Sequence, residues 1–232
     1  MHTFVIVHGA WDGGWFWRPV ADQLCALGHR AYAVTLTGLG ERAHLARNRV
    51  DLDVHIQDVV NVIEFEDLER VCLVGHSYGG VVVTGVADRI PRRLVQVIYV
   101  DAFVPCDGQA LVDLAPPQVR SLMTAAATTC LPDGRLPFPG EPFDRRVRPH
   151  PVATFTQPLR LTSPDLHGTP RAFIHCTSKG EPVPVMYAGV EDAARRARDE
   201  GWRYATLPTG HNPNWTMPGE TAALIERLAD GR

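Results

Sequence analysis

The sequence predicts an α/β domain: a mostly parallel sheet with helices on both faces and a small inserted lid. Three observations carry this expectation. Short apolar runs of strand length recur along the chain. Stretches with apolar residues at helical spacing alternate with them, and turn glycines separate the two. A strand that is apolar on both sides of its pleat must be covered on both faces, as parallel sheets are.

The elements follow in order. Phe4–Val7 reads as a buried strand ending in His8-Gly9-Ala10. Residues 17–28 read as a helix, with Trp17, Val20, Leu24 and Leu27 on one face and Gly28 as its stop. Ala31–Leu36 is the next strand, closed by Thr37-Gly38-Leu39-Gly40. Residues 51–65 carry Val54, Ile56, Val59, Val60 and Ile63 at helical spacing. Arg70–Val74 is a strand, Gly79–Ile90 a helix and Val95–Val100 a strand. The alternation then breaks: residues 106–168 are rich in proline, with weak helical signals only near 109–114 and 117–128. It resumes with a strand at Arg171–Cys176, a helix over 187–200, a strand at Arg203–Leu207 and a closing amphipathic helix over 215–229. The core is therefore expected from residues 1–105 and 169–232. A structureless loop beyond about 15 residues is uncommon in a compact domain, so residues 106–168 are expected to form a lid or cap.

Length and composition agree with this. The chain has 232 residues, 45% apolar and 21% charged, enough to bury a core. The net charge is −3 with no basic run, which argues against a nucleic-acid partner. The 23 cations comprise 22 arginines and a single lysine, Lys179; the skew reads as coding bias rather than chemistry. Five cysteines at wide spacings, with no CxxC, fit free thiols in a reduced, cytoplasmic chain better than zinc or disulfides. No run reaches the roughly 18 apolar residues of a membrane span, and the start lacks a signal-peptide pattern. No membrane, metal or organic cofactor is expected, a small-molecule substrate is, and a homodimer stays open.

The chemistry centres on Gly75-His76-Ser77-Tyr78-Gly79, followed by Gly80. A G-x-S-x-G between a strand and a helix places its serine on a sharp turn with the hydroxyl projecting above the sheet. The flanking glycines remove side chains that would collide with the neighbouring backbone. A serine needs a base. Among ten histidines, His211 stands directly after the last predicted strand and before the final helix, in the order nucleophile, acid, histidine.

The run Val7-His8-Gly9-Ala10-Trp11-Asp12-Gly13-Gly14-Trp15-Phe16-Trp17, with Ala26-Leu27-Gly28-His29 and the serine motif, resembles the α/β-hydrolase branch of methylesterases and hydroxynitrile lyases, including bacterial esterase-like members. The resemblance covers both ends of the chain and is weak over 106–168. It implies an α/β-hydrolase fold and a serine hydrolase of small to medium apolar esters, lactones or thioesters. It also implies an oxyanion hole from the backbone N–H groups of Ala10 and Tyr78. In the plant members the acid follows the penultimate strand. Here Thr177-Ser178-Lys179-Gly180-Glu181-Pro182 follows it and contains no Asp. Glu181 could serve if the loop bends back. Asp101, one strand earlier, is the preferred acid, as in haloalkane dehalogenases, and a chain with neither stays open. The lyases use a Thr and a Lys where this chain has Gly9 and Asn212, which disfavours cyanohydrin cleavage. A cyclase or acyltransferase with the same triad, or a slow-turnover receptor, remains as an alternative. Trp11, Tyr78 and Phe103 are expected at the pocket, with Phe138, Phe143 and Phe155 as lid contributions. Arg145, Arg146, Arg148 and His150 form either a contact for an acidic substrate group or a solvated face.

Overall fold

The computed structural model describes residues 1–47, 50–129, 134–163, 165–180 and 184–231. Eight strands occur among them: β1 (Thr3–Val7), β2 (Arg30–Val34), β3 (Val71–His76), β4 (Leu94–Val100), β5 (Arg135–Leu136), β6 (His150–Pro151), β7 (Arg171–Cys176) and β8 (Arg203–Leu207). Six of them form one parallel sheet in the order β2-β1-β3-β4-β7-β8. The helices are α1 (Gly14–Ala26), α2 (Leu52–Phe65), α3 (Gly79–Arg89), α4 (Pro117–Thr129), α5 (Ala153–Thr156), α6 (Ala188–Asp199), α7 (Pro213–Thr216) and α8 (Pro218–Ala229).

The pleat divides the core in two. Val5, Val7, Leu73, Val97, Tyr99 and Phe173 point to one face and pack with α2, α3 and α6. Phe4, Ile6, Cys72, Val74, Ile98, Val100, Ala172 and Ile174 point to the other and pack with α1 and α8. Both faces of the central strands are thus apolar, which is why these runs lack polar alternation.

At three of the boundaries that differ from the sequence reading a local feature accounts for the change. The first helix begins at Gly14 rather than residue 17. The Gly14 N–H donates to Thr35 Oγ1 at 2.8 Å, and a Cβ at Gly14 would stand 2.3 Å from the Ala33 carbonyl oxygen. Only glycine lets the helix start so close to β2. The second strand ends at Val34, before the expected Leu36, because the Leu36 N–H turns to His8 Nε2. The last helix is broken at Met217, and Pro218 opens α8 in the first turn, where a missing N–H costs nothing.

Residues 106–168 hold α4, a short antiparallel pair (β5 and β6), α5 and single turns of 3-10 helix. Leu111, Val112, Phe155, Leu159 and Leu166 from this stretch join the same apolar cluster as α2, α3 and α6. No helix among the described residues is long and apolar enough to cross a membrane.

Candidate active site

The turn between β3 and α3 carries Ser77 in a left-handed backbone conformation, φ 53°. Such a conformation costs a non-glycine residue free energy, so its neighbours must hold it. They do so by close approach. A Cβ on Gly75 would lie 2.6 Å from Val83 Cγ2, one on Gly79 2.5 Å from the Val7 carbonyl oxygen, and one on Gly80 2.3 Å from the Phe103 carbonyl oxygen. The Ser77 N–H donates to the Val100 carbonyl at 3.3 Å, and its own carbonyl accepts from Phe103 N at 3.1 Å and Gly80 N at 3.0 Å.

His211 lies in the loop between β8 and α7. Its Nε2 is 2.9 Å from Ser77 Oγ and its Nδ1 is 2.6 Å from Asp101 Oδ2. A carboxylate oxygen only accepts, so Nδ1 carries the proton and the Nε2 lone pair faces the serine hydroxyl. The ring packs against Tyr187, centroids 4.5 Å apart, and His76, 4.9 Å apart. His76 Nε2–H donates to the His211 carbonyl at 2.8 Å. Burial pushes the His76 imidazole down to about 3, so it works as a neutral donor that anchors the His211 backbone.

Asp101, directly after β4, is fully buried and also left-handed, φ 43°. Its N–H donates to the Ile174 carbonyl at 2.7 Å. Its Oδ1 accepts from Cys176 N at 3.0 Å and Lys179 Nζ at 2.6 Å. Burial pushes the carboxyl up, but the His211 hydrogen bond and the charges of His211 and Lys179 outweigh it and hold Asp101 below the usual carboxylate value. Glu181 lies outside the described residues.

Ala10 lies just beyond β1 and Tyr78 follows Ser77. Neither backbone N–H has a hydrogen-bond partner among the described residues. The loop bearing Ala10 is tied to the 106–168 stretch at three points. Trp11 N donates to His150 Nδ1 at 3.1 Å, Trp11 Nε1 to the Leu136 carbonyl at 3.0 Å, and Arg148 N to the Trp11 carbonyl at 3.0 Å.

Three expected assignments change, the first being Tyr78, whose ring is buried in the core with its hydroxyl on His55 Nδ1 instead of lining a pocket. His150 is fully buried, donating from Nε2 to Thr154 Oγ1 at 2.8 Å, so it neither meets an acidic substrate group nor stands on a solvated face. Burial holds it well below the usual imidazole value. Phe155 is a core residue rather than pocket lining: it stacks on His150 at 4.3 Å and meets Tyr78 and Trp11 edge-on. Arg146 pairs with Asp144 and stacks over Trp15 at 3.8 Å. Trp11 is partly buried beside Phe138, at 5.7 Å; Phe143 stacks near Phe16 and is half exposed. Phe103 is partly buried, its ring edge 3.0 Å from where a Gly189 Cβ would stand.

Sequence reasoning missed three contributors. Tyr187 had no motif to mark it. His55, on α2, accepts the Tyr78 hydroxyl at 2.8 Å and donates to the Thr37 carbonyl at 2.9 Å, a contact no spacing foretells. Lys179 carried a signal, being the chain's sole lysine, that was read as coding bias.

Comparison with known proteins adds the following. A family model described as "Alpha/beta hydrolase family" matches residues 4–224. A carbendazim-hydrolysing esterase of Nocardioides sp. (strain SG-4G) is 39% identical, covering 99% of this chain and 99% of its own. Methylesterase 10 of Arabidopsis thaliana is 32% identical over 45% of this chain and 38% of its own. Among solved structures, an extracellular α/β-hydrolase from a Paenibacillus species superposes with a TM-score of 0.75 at 24% identity, covering 99% of each chain. A methylesterase from Arabidopsis superposes with a TM-score of 0.72 at 21% identity, covering 100% of each.

Proposed function

The chain belongs to the alpha/beta hydrolase family, and from that premise we propose that it is a serine esterase with Ser77 as nucleophile, His211 as base and Asp101 as the orienting acid. One observation carries the reading: the unbroken chain of hydrogen bonds from buried Asp101 through His211 to Ser77, 2.6 and 2.9 Å long.

The reaction follows from the geometry. His211 Nε2 takes the Ser77 proton as Oγ attacks the substrate carbonyl. The oxyanion meets the unpartnered N–H groups of Ala10 and Tyr78, donors already fixed in place before charge develops. His211 then returns the proton to the departing alcohol, leaving an acyl-Ser77. Water, deprotonated by the same imidazole, attacks that ester and frees the acid. Trp11 and Phe103 flank this centre as substrate contacts, and residues 106–168 serve as the cap. The Nocardioides relative is named for hydrolysing carbendazim and the reported Arabidopsis relative is named a methylesterase, which supports an ester or ester-like carbonyl on a small, largely apolar molecule. Gly9 supports hydrolysis over cyanohydrin cleavage: a Cβ there would already lie 3.1 Å from Ser77 Cβ, leaving a threonine crowded. The five cysteines, at wide spacings with no CxxC, support free thiols and a reducing, cytoplasmic setting.

The test is turnover of short-chain chromogenic esters by the parent and by Ser77→Ala. We expect parent hydrolysis and a loss of several orders of magnitude in the variant, with the thermal midpoint retained. Undiminished turnover in Ser77→Ala removes the nucleophile. Ligand binding without turnover in the parent makes the protein a receptor, and acyl transfer to an alcohol in preference to water makes it a transferase.

A further inference from the structure

We propose that Lys179 is a positioning residue for the acid: its ammonium draws off part of the Asp101 charge and so keeps His211 a free base down to a lower pH. The proposal rests on the esterase reading for its kinetic arm only.

Lys179 lies three residues past the end of β7, and its side chain is 1% exposed. The ammonium bridges two carboxylates, Asp101 Oδ1 at 2.6 Å and Glu191 Oε1 at 2.7 Å. A buried cation is costly unless it is paired and hydrogen-bonded, and this one is paired on the carboxylate that orients the base. In a chain whose other 22 cations are all arginine, a lysine stands at this one position. The compact ammonium contacts one oxygen of each carboxylate as a point charge, where a guanidinium would present a wider planar fork.

The groups facing this centre come from five elements. Asp101 stands at the end of β4 and His211 in the loop after β8. Glu191 projects from α6 and also accepts from His175 Nε2 on β7, at 3.1 Å. Tyr204 on β8 donates its hydroxyl to His175 Nδ1 at 2.8 Å. The Cys176 thiol and the Tyr187 phenol are both pushed up by burial, so they stay neutral. His76, behind His211, is neutral as well. The carboxylates and the ammonium are therefore Asp101, Glu191 and Lys179, and two imidazoles stand on them, His175 on Glu191 and His211 on Asp101, of which His211 must gain and lose a proton in turnover. Asp101 and Glu191 favour the imidazolium, and Lys179 opposes it. Burial pushes the Lys179 ammonium down, but Asp101 and Glu191 outweigh this and hold it above its usual value, so its charge persists through the working range.

The signs of two substitutions follow. Lys179→Met removes the opposing cation and leaves both carboxylates. Protonation of His211 then becomes easier, and the acid limb of kcat/KM against pH moves up. Glu191→Gln removes the more distant anion and leaves Lys179 on Asp101, so the limb moves down. A neighbouring charge shifts a titration by about one to three units at contact distance; about one unit is expected for Lys179→Met and less for Glu191→Gln.

The experiment follows the His211 ring by 15N–1H NMR titration in the parent and both variants, with the resonance assigned by its loss in His211→Asn. Ester kinetics are run on the same samples. Opposite displacements of the His211 midpoint in the two variants support the proposal. A merely structural lysine would lower stability and leave the midpoint in place. If Lys179→Met does not fold, Glu191→Gln decides alone, because the Glu191 side chain is 28% exposed and its loss empties no core. A midpoint unmoved or raised in folded Glu191→Gln overturns the proposal. A parent without ester turnover overturns the esterase reading and leaves the NMR arm intact.

Discussion

Replacing Asp101 by Asn tests the site at the point where the structure dictates which atom goes where. Asp101 Oδ1 already receives two donors, Cys176 N–H at 3.0 Å and Lys179 Nζ at 2.6 Å. An asparagine therefore keeps its carbonyl oxygen on that side and turns its NH2 toward His211 Nδ1. The amide donates where the carboxylate accepted. His211 answers by moving its proton to Nε2, which then points an N–H at Ser77 Oγ and cannot take the serine proton. The loss is that of the wrong tautomer, about 10⁴-fold in rate, or about 5.5 kcal/mol of barrier at 1.36 kcal/mol per decade. The backbone tolerates the change, since Asn is among the residues most at ease at positive φ and residue 101 sits at 43°. The assay is kcat/KM on a chromogenic ester beside a thermal melt. A collapse in rate is expected in a protein that still folds, with a lowered melt because Lys179 loses one of its two carboxylates. A rate within about tenfold of the parent would falsify the acid assignment.

Two further outcomes concern stability. Ser77→Gly should be more stable than Ser77→Ala by about 1 kcal/mol, because alanine keeps the left-handed strain at φ 53° and glycine does not; equal urea midpoints would contradict the strain. Asp12 is 5% exposed, and burial pushes its carboxyl up to about 8. A raised carboxyl contributes its full stability below the unfolded value near 4 and loses it as pH climbs to 8, by up to about 1.4 kcal/mol per pH unit. Asp12→Asn should therefore gain on the parent in urea melts between pH 5 and pH 8, and a constant difference across that window would refute the shift.

Much of the fold was legible in the sequence, for a physical reason. The four inner strands of the sheet are largely buried on both faces, so each announces itself as an apolar run, and β7 and β8 match the predicted bounds Arg171–Cys176 and Arg203–Leu207. Boundaries failed where a tertiary contact decided them, as at Gly14 against Ala33. The elbow was legible because its glycines are demanded by backbone atoms within 2.3–2.8 Å of a missing Cβ. The roles of His55, His150 and Tyr187 were not, since each depends on partners more than twenty residues away. Phe155 and the pocket-side aromatics look alike in sequence; only packing separates a stacked core ring from an exposed one.

The placements of Asp101 and Lys179 are one arrangement, and the strand order shows why. Ser77 follows β3 and Asp101 follows β4, so the two are neighbours at the carboxyl edge of the sheet. His211 follows β8, and β7 stands between β4 and β8. To reach Asp101, the β8 loop must cross the end of β7, and it is stitched there by Thr177 N to the Leu207 carbonyl and Ser178 N to the Thr209 carbonyl, both 2.9 Å. A fully buried carboxylate needs both oxygens occupied. His211 takes one from the β8 side. The other faces the end of β7, and whatever that loop brings must donate. It brings the Cys176 N–H and then Lys179. A buried carboxylate carried after β4 thus turns the loop after β7 into a position for a donor, and a second carboxylate at residue 179 would set two like charges on the same buried spot.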